Sequence, residues 1–221
     1  TGEPDVVGLM DHMVTDDHGF RFDYVLPLTT ARRLVEATRF SAGPVTTQQL
    51  DADLNAALSR AIPGGRFRVV RRERGFIPMG LPLPAPTGDA RWVYAGTRGG
   101  AVRAATGYAF HRMQAWARDC ARSVVDRGRV LAHPSPPWSV SSMDRLFLDV
   151  LRGHPGLAPD LFMALGERVS PDALVRFLMD RGRPSDLLKV VRALPPGPFL
   201  ERLGWSLVSR RRPREPRGQP A

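Results

Sequence analysis

Between Phe20 and Phe40 the chain alternates twice with a break between. Phe22, Tyr24 and Leu26 share one face of an extended segment, residues 27–32 turn, and Leu34, Glu36, Thr38 and Phe40 share one face of a second. Alternation with period two on both sides of a turn predicts a β-hairpin with an apolar side. Leu50, Leu54, Ala57, Leu58 and Ile62 then recur at helical spacing behind a cap at Thr47, and Pro63-Gly64-Gly65 ends that helix. A strand is expected at 66–72, followed by a Pro/Gly-rich connection at 75–89. A short apolar strand at 92–95 opens into Gly96, Gly99 and Gly100, and a long helix runs from about Gly107 to Val125 with Met113, Trp116, Ala117, Cys120 and Val124 as its buried stripe. Cys120 on that stripe reads as core packing rather than as a reactive thiol.

Past Pro134-Ser135-Pro136-Pro137 everything reads as short amphipathic helices, with starts at Ser142, Ser170-Pro171, Ser185 and Gly197-Pro198. Their apolar stripes include Leu146, Phe147, Val150 and Leu151, and Leu174, Phe177 and Leu178. The fold class is α+β or α/β, in four parts: a sheet domain with one helix at 1–74, a mixed segment at 75–133, a helical region at 134–209 and a disordered basic tail at 210–221. No unit of 20 to 50 residues repeats, which excludes a solenoid.

Composition removes several functions. No run reaches the ~20 apolar residues of a spanning helix. A single cysteine precludes an internal disulfide, and His12, His18, His111, His133 and His154 never fall at a metal-clamping spacing. The net charge is +10, but Lys189 is the sole lysine among 32 basic residues, a skew that looks like coding bias and weakens any argument from charge alone. Arg210, Arg211, Arg212, Arg214 and Arg217 concentrate that charge in a tail without aromatics, so nucleic acid is not an expected partner.

Two places carry chemistry. Alternation sets Glu36 between Leu34 and Thr38, on the side opposite Arg33 and Arg39. A carboxyl on an apolar sheet face without a cation is disfavoured as an anion and stays protonated, as a Brønsted acid requires; an edge-strand glutamate facing water fits the same pattern. The stretch from Tyr94 to Phe110 is expected to be a strand, a glycine-rich loop and a helix start. Its glycines and the helix N-terminus near Gly107 would suit an anion, although the spacing is not the G-x-G-x-x-G fingerprint and a plain tight turn explains it equally.

These stretches resemble the FAD-dependent lycopene cyclases of bacterial carotenoid synthesis. The carriers are Gly19-Phe20-Arg21-Phe22, Tyr24-Val25-Leu26-Pro27-Leu28, Arg33-Leu34-Val35-Glu36-Ala37-Thr38-Arg39-Phe40-Ser41 and Ala105-Thr106-Gly107-Tyr108-Ala109-Phe110. Met143-Asp144-Arg145-Leu146-Phe147-Leu148 and Ala193-Leu194-Pro195-Pro196-Gly197-Pro198-Phe199 support them, so the resemblance runs from about Asp11 to Trp205. Ala37 stands where the family often has a second acid, and Ala104 where proline is common. The family's strand, Gly-rich turn and helix that hold the ADP part of FAD have no counterpart here, which suggests the C-terminal portion of a two-domain flavoprotein with antiparallel substrate-domain strands, one FAD-domain strand and its long helix, and a helical region.

By that resemblance the activity is acid-catalysed, redox-neutral cyclisation of the ψ-ends of lycopene to β-rings, an isomerase (intramolecular lyase) reaction. Glu36 would be the acid, Gly99, Gly100, Thr106 and Gly107 cofactor contacts, and Tyr24 and Tyr108 substrate contacts. The cofactor would be reduced FAD with NAD(P)H as reductant, and an N-terminal half or partner subunit would complete the enzyme. A hydrocarbon substrate implies a cytoplasmic protein, peripheral on the inner face of the cell membrane, with the C-terminal helices and tail at the headgroup boundary. A related flavin-dependent hydroxylase or prenyl reductase, and a non-catalytic carotenoid- or partner-binding half-chain, are the alternatives.

Overall fold

The computed structural model describes residues 6–80 and 91–210, without the side chains of 205–210. It is a mixed α/β structure of one three-stranded antiparallel sheet and seven α-helices among those residues. The chain divides into two compact units, Thr1–Gly75 with Leu151–Phe162, and Phe76–Val150 with Met163–Ala221.

The first unit is built on the strands β1 (Gly8–Asp16), β2 (Gly19–Thr29) and β3 (Arg32–Phe40), in the order β1-β2-β3. The hairpin is there, with a tighter turn than alternation suggested. Pro27 and Leu28 continue β2, and only Thr30 and Ala31 separate the strands, braced by the Ala31 amide donating to Thr29 Oγ1 at 3.2 Å. Strand β1 is invisible to the period-two test because two register shifts, between Gly8 and Asp11 and between Asp11 and Val14, exchange its faces. It joins β2 through Asp17-His18. Gly19, at φ +122° and directly against the Phe40 carbonyl, closes that turn where a Cβ has no room.

Phe20, Phe22, Tyr24 and Phe40 share one sheet face and pack with Met10, Met13, Leu151, Ala158 and Phe162. Phe20 stacks on Phe162 at 5.3 Å between ring centroids, and Phe22 meets Phe40 and Tyr24 edge-on. Helix α1 (Thr47–Ala61) lies against the opposite face. Its cap is Thr46, whose Oγ1 accepts from the Gln49 amide while Gln49 Oε1 accepts from the Thr46 amide, a reciprocal capping box one residue before the expected position.

Two expected strands are absent. Residues 66–72 and 92–95 are extended without strand pairing, since a strand exists only through a hydrogen-bonded neighbour and none of the described strands runs beside either. Part of the 75–89 connection, and all but the first residue of the 210–221 tail, lie outside the described residues.

The second unit contains α2 (Phe110–Arg127), α3 (Trp138–Gly153, whose last three residues belong to the first unit), α4 (Ala158–Arg168, whose first turns belong to the first unit), α5 (Pro171–Leu178), α6 (Pro184–Ala193) and α7 (Pro196–Arg210). Ser170 precedes Pro171 as expected, whereas α3 begins four residues before Ser142 and α4 starts without a marker that the sequence reading used. Val169, Ala173, Phe177, Val190 and Ala193 form the core, with Met143, Leu165, Leu174 and Leu187 around it.

The expected stripe of α2 is a correction. Met113, Ala117 and Val124 are exposed, and Trp116 and Cys120 are half-buried against the returning segment at Leu131 and His133. Trp116 Nε1 donates to the Leu131 carbonyl at 2.7 Å, and the Leu131 amide donates to Cys120 Sγ at 3.4 Å.

Candidate active site

In the first unit, register pairs Tyr24 on β2 with Glu36 on β3, Phe22 with Thr38, and Phe20 with Phe40. Glu36 therefore sits at the end of an aromatic row, one cross-strand step from a tyrosine. Burial first, and then the charge of Glu36, pushes the Tyr24 phenol above its ordinary value. Alternation also aims the arginines correctly. Arg39 bonds Asp53 at 2.8 Å and Asp16 at 2.6 Å, and Arg33 donates to the Ala61 carbonyl at 3.3 Å on the α1 side.

The desolvated setting expected for Glu36 is not found. The residue is exposed, with Leu34 on the same face 40% exposed, and its Oε1 accepts from Thr38 Oγ1 at 3.0 Å. A three-stranded sheet edge leaves this end of the face open, so alternation identifies the side on which Glu36 lies but not how much covers it.

The glycine-rich stretch lies in the second unit and differs from its expected form. Residues Gly96–Gly99 make a 3-10 turn, and the Gly99, Gly100 and Ala101 amides donate to the Ala95, Thr97 and Gly96 carbonyls. The Thr106 and Gly107 amides both donate to the Arg103 carbonyl, at 3.4 and 2.9 Å, and the Tyr108 amide to Thr106 Oγ1 at 3.3 Å. Helix α2 starts at Phe110, three residues beyond Gly107, and Gly107 itself is in the left-handed region at φ +72°. The backbone donors of Gly99, Gly100, Thr106 and Gly107 are thus consumed internally, and as placed they do not fit a cradle for the edge of a flavin. Tyr108 is half-buried, its hydroxyl against His111 Nδ1.

What holds this loop is an arginine that the sequence reading passed over. Arg103 is 1% exposed. Its Nε and Nη2 reach Asp144 Oδ1 at 3.1 and 3.0 Å, its Nη1 donates to the Phe177 carbonyl, and its guanidinium lies 3.8 Å over the Phe177 ring. Asp144 also accepts from the Ala105 amide at 3.4 Å. Asp180 lies 3.6 Å from Arg103 Nη1 and is ion-paired with Arg112 Nε at 2.9 Å. Burial, the largest influence, raises the Asp180 carboxyl above its ordinary value in spite of both arginines. The available signal was Asp144 itself: a carboxylate on the helical stripe of Val140, Phe147 and Leu148 has to find a cation.

His133 stacks on Trp116 at 4.5 Å, and burial, then Arg112, lowers its imidazole below the usual value. Among the described residues no group of three histidine, cysteine, aspartate or glutamate side chains is arranged to hold a metal.

A sheet with an aromatic face that carries one carboxyl, and a helical unit with a clamped glycine-rich loop, define a mixed α/β protein. A family model for lycopene cyclase protein matches residues 2–203, and the chain belongs to that family. It is similar to a lycopene beta-cyclase from Paracoccus sp., 32% identical over 214 aligned residues that cover 86% of this chain and 52% of the relative. The chain therefore spans about half the length of the curated relative that it matches. No solved structure matches it.

Proposed function

We propose that this chain supplies the acid-bearing part of a lycopene beta-cyclase, with Glu36 as the proton donor. Membership of the family and the position of Glu36 opposite Tyr24 on an aromatic sheet face together support this reading. Of the two, the register carries the mechanism. A polyene end laid against Tyr24 and the exposed Leu34, at the open end of that face, removes water there and supplies on binding the desolvation that the free carboxyl lacks.

Glu36 then protonates C2 of a ψ-end. The C5–C6 π electrons attack the resulting C1 cation to form the C1–C6 bond, and loss of the C6 proton leaves a β-ring, with no net gain of atoms or electrons. General acid catalysis of this kind contributes about 10²–10⁴-fold. The Thr38 hydroxyl on Oε1 orients the carboxyl, and the half-buried Tyr24 ring, cross-strand from Glu36, offers a π face to the cation.

Reduced FAD with NAD(P)H as reductant is the cofactor proposed for the complete protein, held with a further half or a partner subunit. That proposal rests on the resemblance, and no step here passes through the flavin. The substrate also favours a place on the inner face of the cell membrane, as a cytoplasmic peripheral protein. Among the described residues no helix is long and apolar enough to cross a bilayer, while α6 exposes Leu188 and Val191 beside Lys189 and Arg192, a pairing suited to an anionic lipid surface.

Carotenoids extracted from lycopene-accumulating cells that express the complete gene test the function. Ring-bearing products are expected; unchanged lycopene together with a hydroxylated or reduced product contradicts the reading.

A further inference from the structure

The buried arginine of the second unit is more than a core ion pair, because of what its main chain does. The Arg103 carbonyl accepts from the Thr106 and Gly107 amides, and its own amide donates to the Tyr108 carbonyl at 2.8 Å. One residue thus closes the whole 103–108 loop through its backbone, while its side chain is anchored on three other parts of the same unit: Asp144 of α3, the Phe177 carbonyl and ring in α5, and Asp180 just after α5. Phe177 lies in the last turn of α5, where the dipole favours a cation, so the guanidinium adds a charged donor to a carbonyl that also accepts from the Asp180 amide at 3.2 Å. Asp180, which holds φ +57°, is shared between Arg103 and Arg112, and Arg112 is in the first turn of α2. Loop and helix start are referred to one carboxylate.

We propose that Arg103 is a positioning residue, whose guanidinium, clamped by Asp144, Asp180 and the Phe177 carbonyl, fixes the 101–108 loop and so aims Tyr108 and the first turn of α2. The loop has no regular structure of its own and is rich in small residues, Ala101, Ala104, Ala105 and Gly107, so beyond the buried Ala101 and Ala105 methyls and the Thr106 Oγ1 turn to the Tyr108 amide its shape rests on Arg103. Asp144 adds the second tether by accepting from both Arg103 and the Ala105 amide. The consequence for turnover rests on the cyclase reading; the consequence for the loop does not.

The test uses the isosteric Asp144→Asn variant beside Arg103→Lys, with hydrogen exchange read separately for the 103–108 amides and for the amides of α5 and α6. Loss of positioning speeds exchange in the loop at least tenfold and leaves α5 and α6 within twofold. Equal acceleration in both means that the pair only supports general packing, and no acceleration in either means that the loop is held without it; both overturn the proposal. Should Arg103→Lys fail to fold, Asp144→Asn decides. In the complete enzyme, on lycopene embedded in liposomes, the same Asp144→Asn variant is expected to lose at least tenfold in kcat with KM within twofold. A KM change with kcat intact contradicts the positioning role. An unmodified enzyme that makes no rings sinks the cyclase reading and leaves the exchange result standing.

Discussion

Both units hold a buried arginine side chain on aspartates, Arg39 in the first and Arg103 in the second, and these two arginines do different work. Arg39, whose side chain is 4% exposed, joins Asp53 of α1 to Asp16 at the end of β1. Those elements are already specified by alternation, a capping box and sheet hydrogen bonds, and Asp16 remains 35% exposed at the rim. Arg103 joins carboxylates that lie almost wholly inside, and it adds a backbone carbonyl and an aromatic face. It organises a segment that has no regular structure of its own. An ion pair that staples formed elements adds stability; one that sits inside an irregular loop also sets the loop's shape.

The widest gap between them should appear on deletion. Arg103→Met leaves Asp144 buried beside an apolar side chain, and breaking a buried pair in this way costs about 3–5 kcal/mol. Urea unfolding followed by far-ultraviolet circular dichroism measures it, and a cost under about 1 kcal/mol would erase the distinction. Arg39→Met should cost less, roughly 1.5–3 kcal/mol, because Asp16 can turn to water and Asp53 keeps Arg21 within 3.9 Å, so that chiefly the charged hydrogen bonds are lost. If Arg39→Met proves the more costly change, the comparison is inverted.

Protonation sharpens the same contrast. Hydrogen bonds from Arg39, the leading cause, hold the Asp16 carboxyl below its ordinary range, and Arg176 with the Arg183 amide does the same for Asp186. Burial moves Asp180 the other way. A depressed carboxyl contributes stability above its unfolded pKa and loses it as pH falls through the folded value. Asp180, with a raised folded pKa, contributes below the unfolded value and loses that contribution as pH rises through the folded one. Carboxyl-carbon chemical shifts followed from neutral to acid pH should therefore record Asp180 protonating first and Asp16 and Asp186 later. Coincident midpoints for Asp180 and Asp16 would contradict the burial of the Arg103 cluster.

Most of the first unit was legible because its signals are local. Alternation gave the hairpin, its faces and the direction of Arg39, and helical spacing from Leu50 to Ile62 marked α1, with its cap at Thr46 one residue before the expected Thr47. What escaped depends on neighbours. Two bulges hid β1, and the strands expected at 66–72 and 92–95 lack a partner among the described residues. The glycine-rich stretch was located, but its backbone donors turn inward: those of Gly99 and Gly100 onto Ala95 and Thr97, and those of Thr106 and Gly107 onto Arg103, a residue whose burial is set by α3 and α5. The position of Glu36 was right and its surroundings were not. Period two fixes a face, whereas exposure depends on how far the sheet and its covering helices extend.

The claim on which the functional account turns is that the Glu36 carboxyl delivers the proton. Turnover of the complete enzyme on liposome-embedded lycopene, compared between the unmodified protein and Glu36→Gln, tests it most directly, because the amide keeps the size and the Thr38 contact and loses only the acid. The account predicts a fall in ring formation of at least a hundredfold with KM little changed. Ring formation by Glu36→Gln at close to the unmodified rate would contradict it and move the acid to another residue.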